Sequence, residues 1–352
     1  HHIEHWAKGG AGAAGDIPIE EALEHADAWT ARALALDPTS ADALFARAGW
    51  MSMSFDPGLH EQAERYYELA LEEKPNFALA RNDYAYLLTD QGRMQEANDQ
   101  LELALAHDPA VHDANVNLAA NLIDTGQYER AETLLARWKV ISPDNLSWRV
   151  FDAWLDQIRG DFAESAMVME EAAKIDPSDP RVSYRRAEAW YLLGEFDRAA
   201  ETPHFGLPVW TLLAQGRGED AVALARQDLA ERPDFPEAML RYMSALYVSH
   251  DWQALLAYFD DRWSGIDDFA DNFVEPPYLM MADVTKDAGR PEFTEMLEAA
   301  AGQIAEQKAI GLTPYAMLES EAQLALLQGN RAKGLELLEA AFEVGGRQID
   351  MF

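Results

Sequence analysis

The chain contains no cysteine, so neither a disulfide framework nor thiolate chemistry is open to it. Cations are scarce: 28 lysines and arginines stand against 62 acidic residues, a formal net charge of −34. A polyanion of this kind repels phosphate backbones and anionic headgroups. That argues against nucleic acid and against an acidic membrane face as partners. The surplus suits a basic or polar protein partner, and it equally suits a surface kept soluble in a salty habitat. No apolar run approaches the ~20 residues that cross a bilayer, and no secretory signal opens the sequence. With the missing cysteine, this makes the cytoplasm the expected compartment. The opening His1-His2 pair reads as the remnant of a purification tag, which would put the natural start upstream.

What is present is ample core material, with 49% hydrophobic residues over 352 positions. A single compact core rarely grows past ~250–300 residues, so the length implies two domains or an array that adds core unit by unit. The sequence repeats itself. Pro75, Pro109, Pro143 and Pro177 fall 34 residues apart, as do Gly92, Gly126, Gly160 and Gly194, and Ala85, Ala119, Ala153 and Ala187. Ala63, Ala97, Ala131 and Ala199 keep the same step, with Ser165 in the one gap. Small residues on two successive helices let them approach closely. The glycine supplies the left-handed conformation that closes the first helix. The proline stops the second and starts the next unit. Between these marks apolar residues recur at three- and four-residue steps, as in Ala97, Leu101, Ala104 and Leu105.

This pattern resembles the tetratricopeptide repeat, two antiparallel helices in 34 residues. The resemblance implies an all-α fold, a right-handed superhelix (an α-solenoid) of about ten helix pairs. Residues 1–201 read as a regular array and 202–352 as an irregular one, with the seam at Thr202-Pro203-His204-Phe205-Gly206-Leu207-Pro208. The unit spanning about 235–265 has no turn glycine, and the acidic stretch 260–275 is a second candidate joint. No polar capping helix follows Val344-Gly345-Gly346, so a fragment of a longer protein is expected. The opening Ile3-Glu4-His5-Trp6-Ala7-Lys8-Gly9 and the closing Ala340-Ala341-Phe342-Glu343-Val344-Gly345-Gly346-Arg347 are similar to the ends of helical regions in bacterial winged-helix or cyclase-type regulators.

In the family, the first helix of each pair lines a concave groove that holds peptides or domains. Counting the first alanine as the eighth residue of its unit, the groove takes the second, fifth, ninth, twelfth and thirteenth. The resemblance thus assigns partner binding to Asn82, Tyr86, Val116, Trp154, Arg181, Tyr184, Glu188 and Tyr191, with Asp90 and Asp124 beside them. Trp148 joins the set because the third unit departs from its neighbours. Where Tyr84 and Leu88, then Leu118 and Leu122, are apolar, this unit has Asp152 and Asp156, and its apolar set moves to Trp148, Phe151, Trp154, Leu155 and Ile158. Either the helix is rotated in its pair, or it turns aromatic anchors into the groove. Trp29, Trp50, Trp190 and Trp252 fit helical core positions. The lysine clamp of the chaperone-tail variety is missing. The fifth and ninth positions read Asn82 and Tyr86, Val116 and Ala120, Val150 and Trp154.

Motifs for chemistry are weak. Gly10-Ala11-Gly12-Ala13-Ala14-Gly15 has the dinucleotide spacing but no strand before it, and reads as a small-residue turn. Asp260, Ser264, Gly265, Asp268 and Asp271 outline a calcium loop, yet Arg262 occupies a position that needs an oxygen. The histidines make no metal spacing, no Ser/His/Asp order is anchored by a nucleophile turn, and Asn145-Leu146-Ser147 is only a formal glycosylation site. The expectation is a non-enzymatic scaffold or sensor module without cofactor or metal, gripping a polypeptide. Self-association into a homo-oligomer is a second reading, and a small-ligand or enzymatic solenoid a third.

Overall fold

In the computed structural model, the described residues are 19–54, 57–201, 207–273, 276–309 and 314–343. Among them the chain forms helices and no strand. In chain order these are α1 (Ile19–Leu36), α2 (Ala41–Ser52), α3 (Pro57–Glu73), α4 (Ala78–Asp90), α5 (Met94–His107), α6 (His112–Asp124), α7 (Tyr128–Ile141), α8 (Leu146–Arg159), α9 (Phe162–Ile175) and α10 (Pro180–Leu192). They continue with α11 (Phe196–Glu201), α12 (Leu207–Ala214), α13 (Gly218–Glu231), α14 (Pro236–Val248), α15 (Trp252–Arg262), α16 (Ile266–Ala270), α17 (Tyr278–Asp287), α18 (Glu292–Ala309), α19 (Pro314–Leu327) and α20 (Arg331–Glu343). The glycine-rich run 10–15, the inner part of the 202–208 seam and the end of the chain from 344 lie outside the described residues.

The chain divides into two compact units. One comprises His1–Leu122 with Ala136–Ser142, the other Ile123–Leu135 with Pro143–Phe352. In the first, α2 packs on α3 and α4 on α5. Ala63, Ala85, Ala97 and Ala119 are completely buried, as close helix crossing requires. Tyr67 and Tyr84 stack with centroids 5.5 Å apart. The Tyr84 hydroxyl donates to Glu64 at 2.9 Å, and Arg93 donates to both oxygens of that carboxylate at 2.8 and 2.7 Å. The Arg93 hydrogen bonds hold Glu64 below its ordinary carboxyl range. This strap ties α3 to the turn between α4 and α5.

In the second unit the sequence punctuation can be followed atom by atom. Asn145 caps α8 by accepting from the Ser147 amide at 2.7 Å. Asp179 caps α10 by accepting from the Arg181 and Val182 amides at 2.8 and 3.4 Å, with Pro180 in the first turn. Gly160 closes α8 at φ 85°, where the Asp161 amide returns to the Asp156 carbonyl at 2.8 Å. The same closure occurs after α14 without a glycine. His250 takes φ 57°, and the Asp251 amide reaches the Leu246 carbonyl at 2.9 Å. A side chain costs energy in that conformation. We therefore expect His250→Gly to raise stability by about 0.5 kcal/mol, read as a higher urea midpoint. An unchanged or lower midpoint would mean that the ring contact of His250 with Trp252, 5.8 Å between centroids, outweighs the backbone relief.

The tryptophans depart from expectation. Trp29, placed in the core by its spacing, is 74% exposed. Thr30 is the α1 residue turned toward α2, where Arg47 and the Trp50 indole both donate to its hydroxyl. The next residue along an α-helix points ~100° away. Trp50, Trp190 and Trp252 are half-buried rather than buried. Trp190 and Trp252 pack at the margins of core clusters, and their ring nitrogens reach polar partners. Trp190 donates to Glu170 at 3.1 Å beneath the Arg198 guanidinium. The described part of the acidic stretch, residues 260–273, carries α16 and is packed. Trp263 and Phe269 meet at 4.9 Å, and Phe259 and Phe273 close on both. Asp268 accepts from the Ser264 amide and hydroxyl at 2.8 and 3.0 Å.

Candidate functional site: the faces of the first helices

In the second unit α8 and α10, the first helices of successive pairs, lie against each other. Ser147, Trp154 and Gln157 of α8 meet Arg181, Tyr184, Arg185 and Glu188 of α10. Arg181 donates to the Ser147 hydroxyl at 2.9 Å and is held in place by Asp179. Arg185 is the hub. Its guanidinium lies 4.6 Å from the Trp154 ring centroid and 5.3 Å from that of Tyr184. It donates to the Gln157 side-chain oxygen at 3.0 Å and to Glu188 at 2.7 Å. Gln157 returns a bond to the Arg185 carbonyl at 3.3 Å, and the Tyr184 hydroxyl donates to Glu188 at 3.3 Å. A stacked and hydrogen-bonded arginine is rigid at little further entropic cost. The face therefore presents ordered rings and polar groups.

Electrostatics sharpen this face. Burial pushes the Asp124 carboxyl up to about 6, and the Arg185 charge pulls against that rise. Tyr128 beside it is pushed up to about 12, by burial and then by Asp124. Its buried hydroxyl has no hydrogen-bond partner. Asp156 is also pushed up to about 6, by burial first and then by Asp152 and Asp161. With Asp152 it is one of the two polar residues that break the apolar pattern of the third unit.

The structure divides the aromatic set of that unit. Trp148 is buried, 4% exposed, with the Arg149 guanidinium 4.2 Å from its ring. Trp154 stays half-buried on the α8–α10 face, with Phe151 stacked 6.2 Å away. Of the other residues assigned by resemblance, Arg181, Tyr184 and Glu188 share the face with Trp154. Tyr191 lies farther along α10 and packs on Phe196. In the first unit, Asn82 is buried and accepts from Asn117 at 3.0 Å, Tyr86 is 39% exposed, and Val116 is half-buried. Sequence reasoning passed over Gln157 and Arg185. Gln157 stands at the twelfth position of its unit, so the register alone could have found it. Arg185 stands at the sixth, and only the length of its side chain brings it over Trp154. No group of three or more histidine, aspartate or glutamate residues able to hold a metal occurs among the described residues. No described helix is long and apolar enough to cross a membrane.

Comparison with known proteins agrees with this architecture. Two tetratricopeptide-repeat family models match, one over residues 88–149 and one over 158–202. Residues 88–149 and 158–202 of the chain are thus tetratricopeptide repeats, the repeat of a class of protein-interaction scaffolds that is typically non-enzymatic and generally binds protein or peptide partners. Among solved structures, it is similar to a tetratricopeptide repeat protein from Parabacteroides merdae, at 19% identity over 58% of this chain and 85% of that one, with a TM-score of 0.48. PilF of Pseudomonas aeruginosa matches at 18% identity over 61% of this chain and 98% of its own, TM-score 0.44. YrrB, described as having an unusual peptide-binding site, matches at 17% identity over 56% and 97%, TM-score 0.40. No curated protein matches the sequence.

Proposed function

We propose that this chain is a scaffold that holds a polypeptide partner on the face built by Trp154, Tyr184, Arg185 and Glu188. The observation that carries the reading is the fixed arginine close to two rings, with Trp154, Tyr184 and Glu188 all only half-buried. Rigid aromatic and arginine side chains supply much of the energy of protein interfaces. Immobilising them before binding lowers the entropic cost of association. The extended side chains of a peptide would meet rings, the Gln157 amide and the Glu188 carboxylate within one patch, and a basic segment would complement the net charge of −34. In the first unit, Tyr86 with Asn82 and Val116 at its base would form a second, smaller contact. A regulatory or sensor role in a larger bacterial regulator, in the cytoplasm, is the context we infer for such a module. The regular array 1–201 would then carry the binding and the irregular array 202–352 an adapted end.

The test is capture from native lysate, partner identification by mass spectrometry, and titration of the purified partner. Trp154→Ala should weaken binding by about thirtyfold or more and Tyr86→Ala by a few-fold, while helical circular dichroism stays unchanged. If the purified partner binds both variants as it binds the parent chain, the assignment to these faces is wrong.

A further inference from the structure

The second unit contains a pocket of about 570 Å³ bounded by α12, α14, α17, α18 and α19, within the size range of small-molecule sites. It is separate from the α8–α10 face. Its walls are mostly aliphatic, with the rings of Trp210, Tyr247 and Tyr278 among them. No lysine, arginine or histidine lines it, and the one formally charged group that does is the Asp283 carboxylate. Asp283 accepts from the Tyr247 hydroxyl at 2.7 Å and, among the described residues, pairs with no cation. Lys286, one turn along α17, is committed elsewhere, donating to the Leu327 carbonyl at 2.5 Å. Gln303 and Gln323 also line the cavity, and among the described residues neither amide has a hydrogen-bond partner.

We propose that this pocket binds a small organic cation, an amine carried on an apolar body. A half-buried carboxylate without a counter-ion is costly unless something compensates its charge. Ring faces attract cations and repel anions. The aliphatic walls would cover the ligand body, and the two free amides would read a hydroxyl or carbonyl on it. An anionic ligand finds no positive group in the lining, and a purely apolar one leaves the carboxylate and amides uncompensated. Pro276 and Pro277 lead into α17, whose Asp283 meets Tyr247 of α14.

The experiment uses the whole chain and three probes of similar size: 2-phenylethylammonium, neutral 2-phenylethanol and anionic phenylacetate. Binding is followed by calorimetry and by quenching of tryptophan fluorescence, at low and at high salt. The expected result is saturable binding of the ammonium at one site, about tenfold tighter than the alcohol, with no binding of phenylacetate. Asp283→Asn should erase the preference for the ammonium. Tyr247→Phe, which removes the hydroxyl and leaves the carboxylate, should retain it. Asp287→Asn, an equal change of charge at an exposed site on α17, should change nothing. Equal binding of ammonium and alcohol by the unmodified chain would overturn the proposal without any variant having to fold. So would an ammonium preference that survives Asp283→Asn, a preference lost with Asp287→Asn or at high salt, or no saturable binding of any probe.

Discussion

Replacing Trp263 by alanine is expected to cost about 4 kcal/mol of stability. The indole is 5% exposed and meets four rings: Tyr258 at 5.5 Å, Phe259 at 5.7 Å, Phe269 at 4.9 Å and Phe273 at 5.9 Å between centroids. Its removal leaves a cavity that these rings cannot collapse to fill, because they belong to α15, to α16 and to the turn after it, each held by further contacts. Trp263→Phe should be far milder, about 1–2 kcal/mol. The indole N–H is buried with no acceptor, so phenylalanine also deletes an uncompensated polar group. Urea titration followed by helical circular dichroism distinguishes the two. A loss below about 1 kcal/mol for the alanine variant would show that the aromatic cluster is peripheral.

Arg185→Ala should cost about 2–3 kcal/mol near neutral pH and less in acid. The guanidinium side chain is 14% exposed and its partner Glu188 17%, so removal strands a carboxylate in a poorly hydrated place and uncovers the Trp154 ring. The pH dependence identifies the cause. Burial raises the folded-state carboxyl of Asp124 to about 6, above the 3.8 of an unperturbed aspartate. The folded state therefore holds more protons than the unfolded one between those values. The stability that Asp124 contributes is complete below about pH 4 and is lost as pH rises through about 6. Without Arg185 that carboxyl moves higher still, and the loss deepens toward neutrality. The gap between parent and variant urea midpoints should therefore widen from about pH 4.5 to about pH 8. A gap that stays constant across that range would mean Asp124 does not sense Arg185. Because Arg185 also orders Trp154, the same variant should bind the partner of the α8–α10 face at least as poorly as Trp154→Ala.

The repeat was legible wherever one residue type does one local job. Gly160 was recognisable because a left-handed helix end favours glycine, and Ala153 because close crossing excludes larger side chains. His250 was not recognisable, since it takes a left-handed backbone angle that local preference argues against in a residue with a side chain. The tryptophans misled for a related reason. Spacing says which face of a helix a residue occupies but not what the next helix brings to it. Trp148 and Trp154 thus looked alike in sequence, yet one is sealed under Arg149 and the other stays partly open beneath Arg185.

The sequence by itself determined the helix pair, its period and its chain reversals, because each depends on interactions within a few residues: caps, left-handed turns and three- to four-residue apolar spacing. Tertiary structure alone decided which polar and aromatic groups share a face and where a pocket opens. Arg185 reaches Trp154 across two helices, and Asp283 meets Tyr247 from a helix that enters through Pro276 and Pro277. Such meetings depend on the distances and angles between packed helices, which no local pattern encodes.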